Sequence, residues 1–346
     1  MRIAIHSTPW GFSQDWIAYC ERNGVNYKIV NCYESDIIEK LADCDALMWN
    51  PHHTNAKDAL FAKQLSFAVQ QSGRKVFPDF NTAWHFDDKL GQKYLLEAIG
   101  APLAPTWVFY EKNKALDWIK TEKFPKVFKL RGGAGSSNVK LVHTSLQAER
   151  FVRKAFGRGF SSYDKLSDLK ERIRKLNRSK STRIELLKSI RRLFFSTLFA
   201  RTIGPQKGYV LFQEFMPNNS FDVRVVTIGE KAFAIKRMVR PNDFRASGSG
   251  MILYDKEEID ERCLQIAFNT TEKLKAQCIA YDFVFDTESK PLIVEINYGY
   301  DHKAYFHCPG YWDRKLNWHD GYFNSVDWMV EELIKSTNEY QIRESI

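Results

Sequence analysis

The stretch Ala280–Gly299, AYDFVFDTESKPLIVEINYG, reads as two short apolar strands joined by a turn at Thr287–Pro291. Strand side chains alternate, so Glu295 and Asn297 project from one face. The same alternation puts Ile293 on that face and sends Leu292, Val294 and Ile296 into a core behind it. Hairpin pairing would bring Asp282 alongside, completing two carboxylates and an amide oxygen. Such hard oxygen donors suit Mg²⁺, which takes one or two carboxylates together with substrate phosphates. An acidic hairpin facing solvent would carry the same letters, so the rest of the chain has to decide.

At 346 residues the chain is long enough for two or three packed units. No apolar run approaches the roughly 18 residues that span a bilayer. The opening MRIAIHSTPW has too short an apolar stretch for a secretory leader, and a cytoplasmic location is the expectation. Six cysteines without a CxxC pair argue against both a zinc site and a disulfide framework. The formal charge of +9 is local: residues 158–207 hold 14 Lys/Arg against 4 Asp/Glu, so the remainder is close to neutral.

Strand-like and helix-like stretches alternate over the first hundred residues. MRIAIHS, NYKIVNCY, DALMWNP and KVFPDF are separated by amphipathic stretches near Ser13–Arg22, Ser35–Ala42 and Ala56–Gln71. That alternation predicts a parallel sheet covered by helices. Ligands of such sheets lie beyond the carboxyl ends of the strands, which places His6, Ser7, Trp10, Asn50, His52 and His53 near a candidate site. Each histidine there is as readily a loop residue, and adjacent histidines lack the i,i+4 spacing of a helical metal site.

After Phe86 a charged start leads into a helix ending at Gly100. Phe124–Val142, FPKVFKLRGGAGSSNVKLV, then runs strand, glycine-rich loop, strand. Lys129 shares a face with Val127 and not with Lys126. A lysine at a strand end followed by Gly132, Gly133, Gly135, Ser136 and Ser137 can neutralise polyphosphate while backbone N–H groups cover it. It is not a Walker loop, and a flexible hairpin would look similar. Tyr209–Met216, YVLFQEFM, is another apolar strand. The stretch from Ser220 is a hairpin turning at Gly229–Glu230, with Asp222, Arg224, Lys236 and Arg237 at its ends, where charges are ordinarily solvated. Arg245 and the glycine-serine run after it precede an amphipathic helix at residues 256–276.

In this order the motifs resemble the ATP-grasp superfamily, over roughly Asp87–Gly299. The similarity is closest to ligases that add amino acids to carboxylates, such as the ribosomal-protein glutamate ligases, and more distant to glutathione synthetases and D-alanine:D-alanine ligases. The resemblance implies an α/β (α+β) protein. It divides into an N-terminal parallel-sheet domain at 1–86, a lid subdomain at 87–215 that includes a basic helical insert, and a C-terminal subdomain at 216–346. It implies that Lys89 and Lys129 contact ATP phosphates and that Gly132–Ser137 is the mobile loop over them. Gln213, Glu214, Phe215 and Met216 become the hinge beside adenine, and Asp222 lies near the ribose. Asp282, Glu295 and Asn297 become ligands of Mg²⁺, two ions in number, at a site Mn²⁺ could also fill. Arg237 and Arg245 would stand near the transferred phosphoryl group. Arg131 occupies a place where many members have proline, the insert is longer than usual, and NYGYDHKAYFHCPGYW replaces a short Asn-x-x-Pro-Gly ending.

The activity implied is amide formation from a small-molecule carboxylate and an amine through an acylphosphate, the amine being an amino acid or the acceptor a polysaccharide or peptide. Within the fold, a kinase or a carboxylate–thiol ligase is the rival; outside it, a nucleic-acid binder using the basic insert. The completeness of the phosphate-site residues disfavours nucleic acid as the partner. Tyr298–Trp312, with Asp301, His302, Lys303 and His307, is expected to touch substrate. In the insert, Leu166, Leu169, Ile173 and Leu176, then Ile184, Leu187, Ile190, Phe194 and Leu198, recur at helical spacing. Two amphipathic helices with basic polar faces are predicted, suited to an anionic membrane face or polysaccharide. The oligomeric state is not legible.

Overall fold

A computed structural model describes residues 1–133, 138–162, 198–240, 243–246 and 249–344. The two insert helices expected from Leu166 onward, and Gly135, Ser136 and Ser137, lie outside the described residues apart from the short helix that begins at Leu198.

The N-terminal strands β1 (Ile3–His6), β2 (Tyr27–Val30), β3 (Ala46–Met48) and β4 (Lys75–Phe77) form a parallel sheet in the order β2-β1-β3-β4. The crossovers are α1 (Ser13–Asn23), the single turn α2 (Ile37–Lys40) and α3 (Ala56–Gln71), as the alternating pattern predicts. Local chemistry sets their ends. Gly24 closes α1 in the left-handed region at φ +64°, where its N–H reaches the Cys20 carbonyl. Asn55 caps α3 by accepting from the Lys57 N–H. His6 belongs to this core: its Nδ1 accepts the Cys32 N–H at 3.0 Å. It is a packing residue and does not reach the cleft, because β1 is a central strand with both faces covered.

Two antiparallel sheets follow. The smaller consists of β5 (Thr106–Phe109), β6 (Lys126–Lys129), β7 (Val139–Val142) and β8 (Val210–Glu214), ordered β5-β8-β6-β7. It packs on α6 (Lys112–Thr121) and α7 (Ser145–Ala155) through Phe128, Phe212, Ile119 and Val152. The short α8 (Leu198–Ile203) precedes β8. The larger sheet runs β13-β12-β9-β10-β14-β15, from β9 (Phe221–Ile228), β10 (Lys231–Met238), β12 (Cys278–Phe285), β13 (Pro291–Asn297), β14 (Gly310–Asp313) and β15 (Trp318–Asp320), with β11 (Ile252–Leu253) on β10. One face of it packs on α9 (Glu261–Leu274) and on Leu96 of α5 (Lys89–Ala98), after α4 (Phe80–Ala83). Its other face shares a core with the N-terminal sheet, Ile3, Ile5 and Trp16 meeting Val226, Ile228 and Phe233, and with α10 (Ser325–Glu344) through Met329 and Leu333. The N-terminal sheet is thereby fixed against the large sheet, while the small sheet keeps a core of its own. Among the described residues no helix is long and apolar enough to cross a membrane.

One expectation from alternation fails. Asp282 pairs with Glu295, but the next residue, Phe283, pairs with Ile293. Val294 is therefore an extra residue in β13, a bulge that inverts the parity on either side of it. Ile293 joins Ile296 in the core, both fully buried, and Val294 turns toward the cleft, where it stands beside Lys129 and Gln213. Glu295 and Asn297 stay on the cleft face.

Candidate active site

The cleft lies between the two antiparallel sheets, with residues of α5, β5, β6, β8 and β13 around it. From the small sheet, Lys129 at the end of β6 points into it. Its ammonium donates to Gln213 Oε1 at 2.6 Å and to the Val294 carbonyl at 3.0 Å, so this one side chain spans both walls. Burial pushes the ammonium down to about 8, partly countered by the charge of Glu295. Lys126 lies on the opposite face, as its register predicts. There it pairs with Glu214 and Glu122 above the Trp107 ring, so the Glu214 side chain faces away from the cleft. Gln213 is held from behind by its amide, which donates to Thr106 Oγ1 at 3.0 Å. Phe215 packs its ring edge-on to Phe244, and the Met216 carbonyl accepts from the Asn219 amide at 3.3 Å.

Lys89 enters from the N-terminus of α5. Its ammonium is 3.1 Å from Glu295 and donates to the Gly133 carbonyl at 3.0 Å. Burial works against this charge, but Glu295 and Asp87 outweigh it and hold the lysine above its usual range. Gly133 is thus drawn onto Lys89.

On the large sheet, Asp282, Glu295 and Asn297 share the cleft end of β12–β13. Asp282 is already engaged. Arg224 binds both its oxygens, at 2.5 and 2.6 Å, and Arg237 lies 3.1 Å away while gripping Asp222 with two bonds of 2.6 Å. Burial opposes the charge of Asp282, yet the two guanidiniums prevail and keep its carboxyl well below the usual range. Three of the charges expected at strand ends in solvent, Asp222, Arg224 and Arg237, therefore form a closed, buried set with Asp282, because β9 is a central strand with β10 on one side and β12 on the other, whereas Lys236 pairs with Glu258 at 2.7 Å outside it. Asp222 and Arg237 stand directly opposite each other across β9 and β10. Arg245 lies outside this set and pairs with Asp243 at 2.8 Å.

Asn297 Oδ1 is buried without a hydrogen-bond partner. An orphaned acceptor next to the Glu295 carboxylate fits a hard cation, since a lone buried carbonyl is otherwise costly. Among the described residues no three His, Cys, Asp or Glu side chains converge as a metal cage. The candidate donor set is two carboxylates and this amide.

The segment Tyr298–Trp312, expected to touch substrate, divides into buried side chains and the exposed Asp301, Lys303 and His307. Tyr298, Tyr300, Tyr305 and His302 are buried. His302 packs on Phe12 and Phe306 with Nε2 3.1 Å from Asp15, docking the segment onto α1. It is a packing residue, drawn inward by the aromatic core shared with the N-terminal sheet. Asp301 remains exposed. The loop after β3 does approach the cleft: His53 stacks on His52 and meets Phe86 edge-on, and burial, with the charge of Lys89 among the smaller causes, lowers it to about 4. Asp87 carries no motif signal and is a participant that sequence reasoning missed: its carboxylate accepts the Gly133 N–H at 2.6 Å.

Residues 196–305 match the family profile of the RimK-like ATP-grasp domain, a range that covers β8 to β13 with the Asp222–Arg237 and Asp282–Asn297 hairpins. In three dimensions the chain is similar to a RimK domain ATP-grasp protein from Sphaerobacter thermophilus, with a TM-score of 0.57 and 16% identity, covering 96% of this chain and 99% of that one. It is similar to D-alanine–D-alanine ligase from Bacillus anthracis at TM-score 0.52 and 16% identity, over 98% and 99% of the two chains. A third similar structure is the ATP-grasp ligase PsnB complexed with precursor peptide PsnA2 and AMPPNP, at TM-score 0.53 and 10% identity, over 97% and 98%. No curated protein matches the chain by sequence. The fold is ATP-grasp, and residues 196–305 are similar to the RimK-like ATP-grasp domain.

Proposed function

We propose that the chain is an ATP-dependent carboxylate–amine ligase working through an acylphosphate. The observation that carries this reading is convergence. Two buried lysines, Lys89 and Lys129, meet Glu295 and the Val294 carbonyl across one cleft between two antiparallel sheets, with the partnerless Asn297 carbonyl two residues beyond Glu295 on the same strand. Lys129 donates to the Gln213 amide oxygen and the Val294 carbonyl, and Lys89 to the Gly133 carbonyl beside its ion pair with Glu295; phosphate oxygens of ATP would replace the uncharged acceptors. Gln213–Met216 lines the adenine side and Asp222 the ribose side, with Asp222 also orienting Arg237. The γ-phosphoryl group passes to a carboxylate oxygen, releasing ADP. An amine then attacks the acyl carbon, and the C–O bond to phosphate breaks, leaving an amide and inorganic phosphate. Arg237, held by Asp222 and Asp282, keeps a fixed positive charge beside the transfer, and Arg245 provides a second at the rim. Glu295, Asn297 and Asp282 would hold Mg²⁺, which would offset phosphate charge during transfer.

In support, the RimK-like match falls on these hairpins and the PsnB complex holds a nucleotide analogue with a peptide. We propose the same three units as above, 1–86, 87–215 and 216–346, and a small carboxylate joined to an amino acid or peptide amine. For residues 158–207 we propose attraction to an anionic membrane surface or polysaccharide, tested by salt-sensitive co-sedimentation with anionic liposomes. The ligase reading is tested by ADP release with panels of carboxylates and amines. Glu295→Gln should abolish Mg²⁺-dependent ADP formation while the fold is kept. Unchanged turnover in that variant would remove the hairpin from the mechanism, and a phosphorylated product without amide would make the enzyme a kinase.

A further inference from the structure

Asp87 has an unusual backbone. Its φ of +53° lies in the left-handed region, which Asp tolerates at a cost. Its neighbours enforce that conformation. Lys63 donates to the carbonyls of Trp84 and Phe86, at 2.6 and 3.2 Å. The Asp88 carboxylate accepts the Gly91 N–H at 3.0 Å and Arg131 at 2.6 Å, and the Lys89 N–H donates to the Arg131 carbonyl at 2.9 Å. Strain fixed so thoroughly belongs where it places a group. Here it places a carboxylate. One oxygen accepts the Gly133 N–H at 2.6 Å, and the other lies 2.9 Å from the point where a Cβ on Gly132 would stand. A side chain at Gly132 would require that carboxylate oxygen to shift.

A glycine-run N–H beside a lysine ammonium is ordinarily an anion site. We propose that Asp87 is an internal anion which holds Gly132–Gly133 in the nucleotide-free protein, and which a nucleotide phosphate displaces on binding. The identity of the incoming anion rests on the ATP reading above; the latch itself rests on Asp87, Gly132, Gly133 and Lys89. Asp87 suits a replaceable role. Burial pushes its carboxyl up to about 6, partly offset by Lys89 and the Gly133 N–H, so it is a poorly solvated anion in that place. Its single bond to Gly133 also differs from the two-oxygen grips of Arg224 on Asp282 and Arg237 on Asp222. A latch of this kind raises the threshold for nucleotide entry and keeps the lysine–glycine contact assembled until a nucleotide arrives.

Two variants test it. Asp87→Asn removes the charge and keeps a residue that tolerates the left-handed region; Asp87→Gly removes the acceptor and relieves the backbone. AMPPNP binding is measured by calorimetry, and amide exchange at Gly133 in the free protein. Asp87→Gly should bind AMPPNP about tenfold more tightly and exchange the Gly133 amide faster, with Asp87→Asn between it and the parent. Equal or weaker AMPPNP binding in both variants, with a wild-type protein that binds, overturns the latch and leaves the ATP reading standing. AMPPNP bound by Asp87→Gly but not by wild type supports the latch in its strongest form. No AMPPNP bound by any of the three overturns the ATP reading, and unchanged Gly133 exchange then overturns the latch as well.

Discussion

The two walls of the cleft handle their charges in opposite ways. On the large sheet, Asp222, Arg224, Arg237 and Asp282 satisfy one another through two-oxygen contacts inside the protein. On the small sheet, Lys129 donates to a neutral amide and to a carbonyl of the other wall. The first arrangement is mutual, and removing any member leaves a buried charge without its partner. The second consists of single bonds to uncharged acceptors that a phosphate oxygen can replace with gain. The four-charge set is thus built to persist and the Lys129 contacts to exchange.

The largest expected effect follows from the persistent set. Arg224→Ala should lower stability by about 3–5 kcal/mol, the usual consequence of breaking a buried pair from one side. Chemical denaturation measures it, and a loss below about 1 kcal/mol would place the four charges in the exchangeable class. At the exchanging contacts, Lys129→Ala should weaken ATP by about 10- to 100-fold and adenosine hardly at all, since the lost contact is to phosphate. Its effect on stability should be small or favourable, because the amine is buried.

Proton linkage sharpens the same contrast. Lys129 titrates near 8 in the free protein, and phosphate favours its charged form. Above pH 8 binding must therefore take up a proton, and AMPPNP affinity should fall with rising pH by up to about tenfold per unit. Because the folded pKa is depressed below the unfolded one, the same group favours the folded state increasingly as pH rises from about 8 toward 10. Opposite trends in affinity and stability over that window are the expected result; parallel trends would assign the titration elsewhere. Smallest of all, Lys126→Ala should change AMPPNP affinity by less than about twofold, its ammonium being held on the far face by Glu214 and Glu122. An effect equal to that of Lys129→Ala would mean that the two strand faces are not distinguished.

Much of this was legible in the sequence. The N-terminal strands and helices declared themselves through alternating patterns, and the separation of Lys126 from Lys129 needed only the period of a strand. Parity failed in β13 because a bulge at Val294 leaves no compositional mark: an extra residue in a run of apolar letters looks like any other. The Asp222–Arg237 pair was recoverable, since a turn at Gly229–Glu230 sets those two residues opposite each other. Its closure by Asp282 and Arg224 was not, because β12 reaches β9 from some fifty residues away in sequence. Asp87 was invisible for a different reason. Its role depends on a left-handed backbone imposed by Lys63, Asp88 and Arg131, contacts that no local spacing announces.

The most direct test of the central claim is calorimetric titration of AMPPNP into the wild-type protein and Lys129→Ala, each with Mg²⁺ and with EDTA. The account predicts binding that weakens at least about tenfold in EDTA and again in Lys129→Ala, while adenosine distinguishes neither condition. Absence of AMPPNP binding by wild type and Asp87→Gly alike, or equal binding by wild type and Lys129→Ala in the presence of Mg²⁺, would contradict it.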